Sequence, residues 1–85
     1  MDATALKDPR RRVVGRRETL KHLARKTATG VYVARDADPR IVADLIQQCE
    51  AAQVPVEFVD TMVQLGQLCG IDVGAACAAI VSFRT

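Results

Sequence analysis

The chain has 85 residues, 49% of them apolar, 4% aromatic and 26% charged, with a formal net charge of +2. That length suits one domain, and the mixture is that of a globular chain, not a disordered one. No run approaches the roughly 18 apolar residues of a membrane span, and the N-terminus lacks the apolar centre of a signal peptide, so a cytoplasmic protein is expected.

Residues 3–8 allow a short helix, which Pro9 ends. Arg12 to Val14 reads as a brief strand leading to Gly15. Residues 16–26 read as a helix, because Leu20, Leu23 and Ala24 recur on one face at spacings of three and four. Arg17, Lys21 and Arg25 form a basic row on another face. Gly30 is expected to break this helix, and Val31-Tyr32-Val33-Ala34 is a continuous apolar run typical of an inner strand. Asp38-Pro39 is a strong helix start, with the aspartate as cap and proline in the first turn. Ile41, Val42, Leu45, Ile46 and Cys49 carry that helix to about residue 52, where Val54-Pro55 stops it.

Val56 to Val59 is the next strand, and Asp60 or Thr61 caps a helix whose core stripe is Met62, Leu65 and Leu68. Gly70 supplies its left-handed stop, Ile71-Asp72-Val73 follows as an apolar loop around one carboxylate, and Cys77 to Phe83 is the last strand. Tyr32, Phe58 and Phe83 fall at strand positions and are expected in the core. Strands alternating with helices imply an α/β fold, a three-layer α/β/α sandwich around a small mixed sheet of about four strands. The whole chain, residues 1–85, is expected to form one domain, with residues 1–11 as a flexible basic arm.

The net charge conceals a polarity. Residues 1–26 hold nine basic side chains against three acidic ones, a net of +6, whereas residues 27–85 hold three against seven, a net of −4. One positive face toward a polyanion, with the remainder acidic, follows from that division. Cys49, Cys69 and Cys77 are odd in number and lack CxxC spacing, so they are expected as reduced core residues and not as a disulfide framework or zinc site.

Two segments carry the chemistry. A helix beginning at Arg16 would direct its free amides and positive dipole end outward, and Gly15 would let a partner approach the backbone. Arg17 and Lys21 can meet phosphates or guanine acceptors. Glu18 repels phosphates, so amid arginines it serves by accepting hydrogen bonds from base amino or imino groups, or by holding a neighbouring arginine. The plain alternative is an ordinary Glu18–Lys21 helix pair worth a few tenths of a kcal/mol. In the second segment, Ile71 and Val73 could pack on an unstacked nucleotide while Asp72 receives its donors. RNA offers such nucleotides and duplex DNA does not. Alternatively, both apolar residues tuck beneath the last strand.

From about Arg12 to Val81 the chain resembles the bacterial branch of the L-seven-Ae ribosomal-protein family, which binds kink-turn RNA. The landmarks are Gly15 with Glu18 and Lys21, Val31 to Ala34 followed by Asp36-Ala37-Asp38-Pro39, Val54-Pro55-Val56, and Leu65-Gly66 with Gly70-Ile71-Asp72-Val73. In that family the helix after the glycine enters the widened groove at tandem sheared G·A pairs. The resemblance implies that Gly15, Arg16, Arg17, Glu18 and Lys21 contact RNA and that Ile71, Asp72 and Val73 hold a flipped-out loop nucleotide. Archaeal members usually have Asn at Arg17, Pro at Gly74 and the longer Glu at Asp72. The expected partner is structured RNA, ribosomal or riboswitch, bound by a monomer without DNA, membrane or cofactor.

Other constellations carry less. His22 has no second base or ligand beside it, and a surface or helix-packing role is expected. Asp36 and Asp38 could suggest magnesium, yet Asp38 already has a role as a cap and no third ligand accompanies them. No GxGxxG or GxxxxGK[ST] occurs, and no nucleophile–base pair can be assembled, so a non-enzymatic protein is expected. The rival reading is a small protein–protein interaction module whose acidic face docks a partner, with the basic arm incidental.

Overall fold

The computed structural model describes residues 3–82. A 3-10 helix over Ala3–Lys7 precedes β1 (Arg12–Val14), α1 (Arg16–Ala24), β2 (Ala28–Ala34), α2 (Pro39–Ala52), β3 (Val56–Val59), α3 (Met62–Leu68) and β4 (Cys77–Val81). The four strands form one mixed sheet in the order β1-β4-β2-β3. β2 and β3 are parallel and joined through α2, because a parallel pair needs a long crossover. β4 inserts between β1 and β2 and runs antiparallel to both, with Val14 opposite Ala78 and Tyr32 opposite Ala78 from the other side.

Strand alternation sorts the core into two halves. Val31 and Val33 point to the face covered by α1 and α2, where they join Leu23, Leu45, Cys49, Cys77 and Ala79. Tyr32 and Ala34 point the other way, toward the 3-10 helix and α3, where Leu6, Leu65, Cys69 and Ala78 fill the layer. Both central strands are thus covered twice, which is why their sequences read as unbroken apolar or small-residue runs. The α/β/α sandwich and the four-stranded mixed sheet agree with the sequence reading.

The local signals resolve as follows. Asp38 caps α2 by accepting from the Arg40 amide at 2.9 Å, and Thr61, not Asp60, caps α3 by accepting from the Gln64 amide at 3.0 Å. Gly70 takes φ +71° after α3. α1 stops at Ala24 and not at residue 26, with Lys26 in the left-handed region at φ 60°. Gly30 therefore breaks no helix. It lies buried inside β2, beside a register shift between Ala28 and Gly30.

Two side chains expected in the core sit elsewhere, Phe58 and Met62. Phe58 is 44% exposed because β3 is an edge strand, and the Arg35 guanidinium covers its ring at 5.0 Å from the centroid. Met62 is 36% exposed at the mouth of α3, and Leu68 is half-buried, leaving Leu65 as the stripe's buried member. Of the segment expected as a flexible arm, the described 3-10 helix is held to the core, since Leu6 is completely buried. β4 ends at Val81, and Phe83 lies outside the described residues.

Candidate nucleic-acid interface

Pairing to β4 brings β1 to Gly15 at the end of the sheet where β4 begins. Gly15 adopts φ 95° and ψ 162°, a combination that residues with a Cβ avoid, and donates its N–H to the Cys77 carbonyl at 2.9 Å. A Cβ there would meet nothing within 4 Å, so the restriction comes from the backbone angle and the space outside is open. The chain then turns directly into α1.

α1 begins differently from the other two helices. Asp38 and Thr61 give α2 and α3 side-chain caps, whereas no side chain caps α1. Its first-turn amides keep their donors and its positive dipole end available to an outside anion or base edge. Thr19 is buried beneath this turn, its hydroxyl 3.9 Å from the Cys77 sulfur, and Leu23 follows it into the core. Those two contacts fix the rotation of α1, leaving Arg17 and Lys21 exposed and Glu18 half-buried.

Among the described residues, Arg17, Glu18 and Lys21 make no side-chain hydrogen bond or ion pair. The ordinary Glu18–Lys21 pair is therefore not formed. Arg16 differs: its guanidinium donates to the Asp44 carboxylate on α2 at 2.8 Å, an exposed pair that adds little stability but turns the head group toward α2.

The second segment doubles back along α3. The Ile71 amide donates to the Gly66 carbonyl at 3.1 Å, the Ala75 amide to the Met62 carbonyl at 3.0 Å, and the Ala34 amide to the Ala76 carbonyl at 2.9 Å. Ile71 rests partly on the core, but Asp72 is exposed and Val73 is 69% exposed. Val73 thus does not tuck beneath the last strand.

One contact ties the start of the first segment to the end of the second. Cys77 ends the loop and holds Gly15 by a direct hydrogen bond. Val73 lies four residues before Cys77, at most about 14 Å of chain. Glu18 lies three residues into the helix side, about 4.5 Å of axial rise. The ends of β2 and β3 reach the same edge of the sheet, and Asp36 there accepts from the Met62 amide at 2.8 Å.

Two supporting residues escaped the sequence reading. Gly66 is the point where α3 and the loop touch backbone to backbone: a Cβ there would run into the Val73 carbonyl oxygen. A buried glycine within an apolar helical stripe was the available signal. Arg12, counted above among the basic side chains of residues 1–26, turns inward and donates to the Leu6 and Cys69 carbonyls, both at 3.0 Å.

The remaining candidates have structural partners. His22 Nδ1 lies 2.7 Å from the Thr27 hydroxyl at the end of α1. Asp36 and Asp38 each accept a helix-start amide. All three cysteines are free and buried. Burial pushes the Cys49 thiol up to about 11, and it raises Cys69 and Cys77 as well, so the reactive thiolate is scarce at neutral pH. No described helix is long and apolar enough to cross a membrane.

The chain is similar to known proteins over most of its length. An RNA-binding protein of Caldanaerobacter subterraneus is 44% identical over 73 residues, covering 86% of this chain and 89% of its own length. The RNA-binding protein YbxF of Geobacillus stearothermophilus is 44% identical over 69 residues, covering 81% and 84%. Among solved structures, the Giardia lamblia 15.5kD RNA binding protein superposes with a TM-score of 0.86 at 32% identity, covering 95% of this chain and 71% of that one. The model of the ribosomal protein L7Ae/L30e/S12e/Gadd45 family matches residues 2–84, and the chain belongs to that family.

Proposed function

We propose that this protein binds RNA and, more specifically, recognises and stabilises a kink-turn, the bent internal loop built on sheared G·A pairs. The observation that carries the reading is the Gly15–Cys77 hydrogen bond. It joins an uncapped, arginine-rich helix start to a loop with an exposed valine and carboxylate. The RNA-binding names of the relatives and of the solved structure support the RNA class.

In this mechanism the α1 start enters the widened groove. Arg17 and Lys21 face guanine acceptors or phosphates, and Glu18 accepts from base amino or imino groups. Arg17 has no acceptor, so its contact is to phosphate or to guanine O6 and N7. Ile71 and Val73 pack on the flipped-out nucleotide while Asp72 accepts from it. Arg16 would join them by leaving Asp44. The protein contributes no covalent chemistry; by binding only the bent form it shifts the RNA toward it. We infer a cytoplasmic monomer acting on ribosomal or riboswitch RNA.

The test compares a kink-turn RNA with a version whose G·A pairs are replaced by Watson–Crick pairs. Preference for the intact RNA is expected, and equal affinity would contradict the specific reading. Glu18→Ala should weaken the intact RNA about tenfold, equivalent to about 1.4 kcal/mol, and leave the control nearly unchanged. Arg11→Ala should weaken both RNAs alike and reduce the salt dependence, as loss of a phosphate contact does.

A further inference from the structure

β1 touches the loop between α3 and β4 at both of its ends. At the start of β1, the Arg12 guanidinium donates from Nη2 to the Cys69 carbonyl and from Nε to the Leu6 carbonyl, both at 3.0 Å. Cys69 is the C-cap of α3, immediately before Gly70. Just past the end of β1, the Gly15 amide holds the carbonyl of Cys77, where the loop enters β4. Gly15 lies three positions after Arg12, roughly 10 Å of extended chain. The same segment then turns into α1, so it touches the loop's start, the loop's end and the helix start in succession.

The chemistry at Arg12 suits such a tie. The last carbonyls of a helix have no intrahelical donors, and a cation beside them is favoured by the helix dipole. The guanidinium is a rigid planar fork, so two bonds to different carbonyls fix its orientation. Both bonds are part-buried, where water competes less well. The positive charge also reaches the Cys69 thiol, where it opposes the upward push of burial.

The geometry points to Arg12 as a positioning residue for the interface: it presets the Gly70–Val73 loop against α1 by holding the α3 end of that loop. Its functional half rests on the kink-turn reading proposed above. Arg12 is thus a cation of the basic segment that acts inward, through the loop, and not on a phosphate.

Arg12→Met keeps the length of the side chain and removes both donors, while Arg12→Lys keeps a single cation. Amide chemical shifts and hydrogen exchange of the free protein read the loop, and titration with kink-turn RNA at several salt concentrations reads binding. In Arg12→Met the Gly70–Val73 amides should shift and exchange about tenfold faster, with β2 unchanged. Kink-turn affinity should fall about tenfold, the scale of a lost charge-assisted bond. The slope of log affinity against log salt should stay constant, and Arg12→Lys should recover part of both losses.

Unmoved loop amides would overturn the proposal, as would a moved loop with unchanged affinity. A salt slope reduced by about 0.7–0.9 would also overturn it, because that marks a lost phosphate contact. If the native protein shows no preference for the kink-turn, the functional reading falls, and the free-protein amides still decide whether Arg12 holds the loop. If Arg12→Met does not fold, Arg12→Lys carries the same readouts.

Discussion

Gly66 shows how one missing methyl group can let a helix and a loop meet backbone to backbone. α3 lies against residues 73 and 74 with no room for a Cβ, and Gly74 in turn sits against Met62, where an added Cβ would lie 3.2 Å from that of Met62. Gly66→Ala must therefore move the loop or the helix. Overpacking of this kind costs about 1–3 kcal/mol, and thermal unfolding should show it as a lowered Tm. Kink-turn affinity should fall more than binding to a plain duplex, because the latter relies on Arg17, Lys21 and the other cations. An unchanged Tm and unchanged RNA preference would mean that the contact has no consequence. The contacts of Arg12 and Gly66 were illegible in sequence for the same reason: each acts across the fold, on Cys69 and Val73. Local spacing showed a cation in a basic run and a small residue in a helix, and neither observation names a partner.

At the scale of elements, the helix starts divide by use. α2 and α3 are closed by Asp38 and Thr61, whereas α1 is left uncapped at the proposed interface. The caps were legible because they depend on residues two or three apart, and the alternation of apolar runs marked every strand core. Less legible was what packing and position decide, such as Phe58, which reads as core but lies on the edge strand. Two predictions belong here. Gln53 ends α2 in the left-handed region at φ 58°. Gln53→Gly should therefore stabilise the protein by about 0.5–1 kcal/mol, a Tm gain of several degrees for a domain of this size. Asp38 is held below its ordinary value of 3.8, first by the Arg40 side chain and then by the Arg40 amide. Its folded pKa is depressed, so the stabilisation is present above the unfolded value and is lost as pH falls through the folded one. Asp38→Asn retains a capping oxygen without the titration, and should flatten the decline of Tm below about pH 4. A decline identical to that of the native protein would contradict the assignment.

At the scale of the whole molecule, sheet order decides where the basic segment lies. The +6 of residues 1–26 could have been a solvated arm, as composition alone allows. Instead Leu6 anchors the 3-10 helix, Arg12 is drawn inward, and β1 pairs with β4 so that α1 begins beside the end of the 70–76 loop. Insertion of β4 between β1 and β2 could not be read from sequence, because apolar runs report burial and not neighbours. Yet that insertion brings together two segments about fifty residues apart, and the proposed function depends on it. A protein that binds only the bent RNA must bend the population it meets, and a shift from 1:99 to 99:1 requires about 10⁴-fold preference for the bent form. The most direct measurement is energy transfer between dyes on the two helical arms of a kink-turn RNA, in magnesium-free buffer where the extended form prevails. Adding the protein should bring the arms together in a saturable transition, with no change for the RNA whose G·A pairs are replaced by Watson–Crick pairs. Binding to the kink-turn without any rise in transfer would contradict the account.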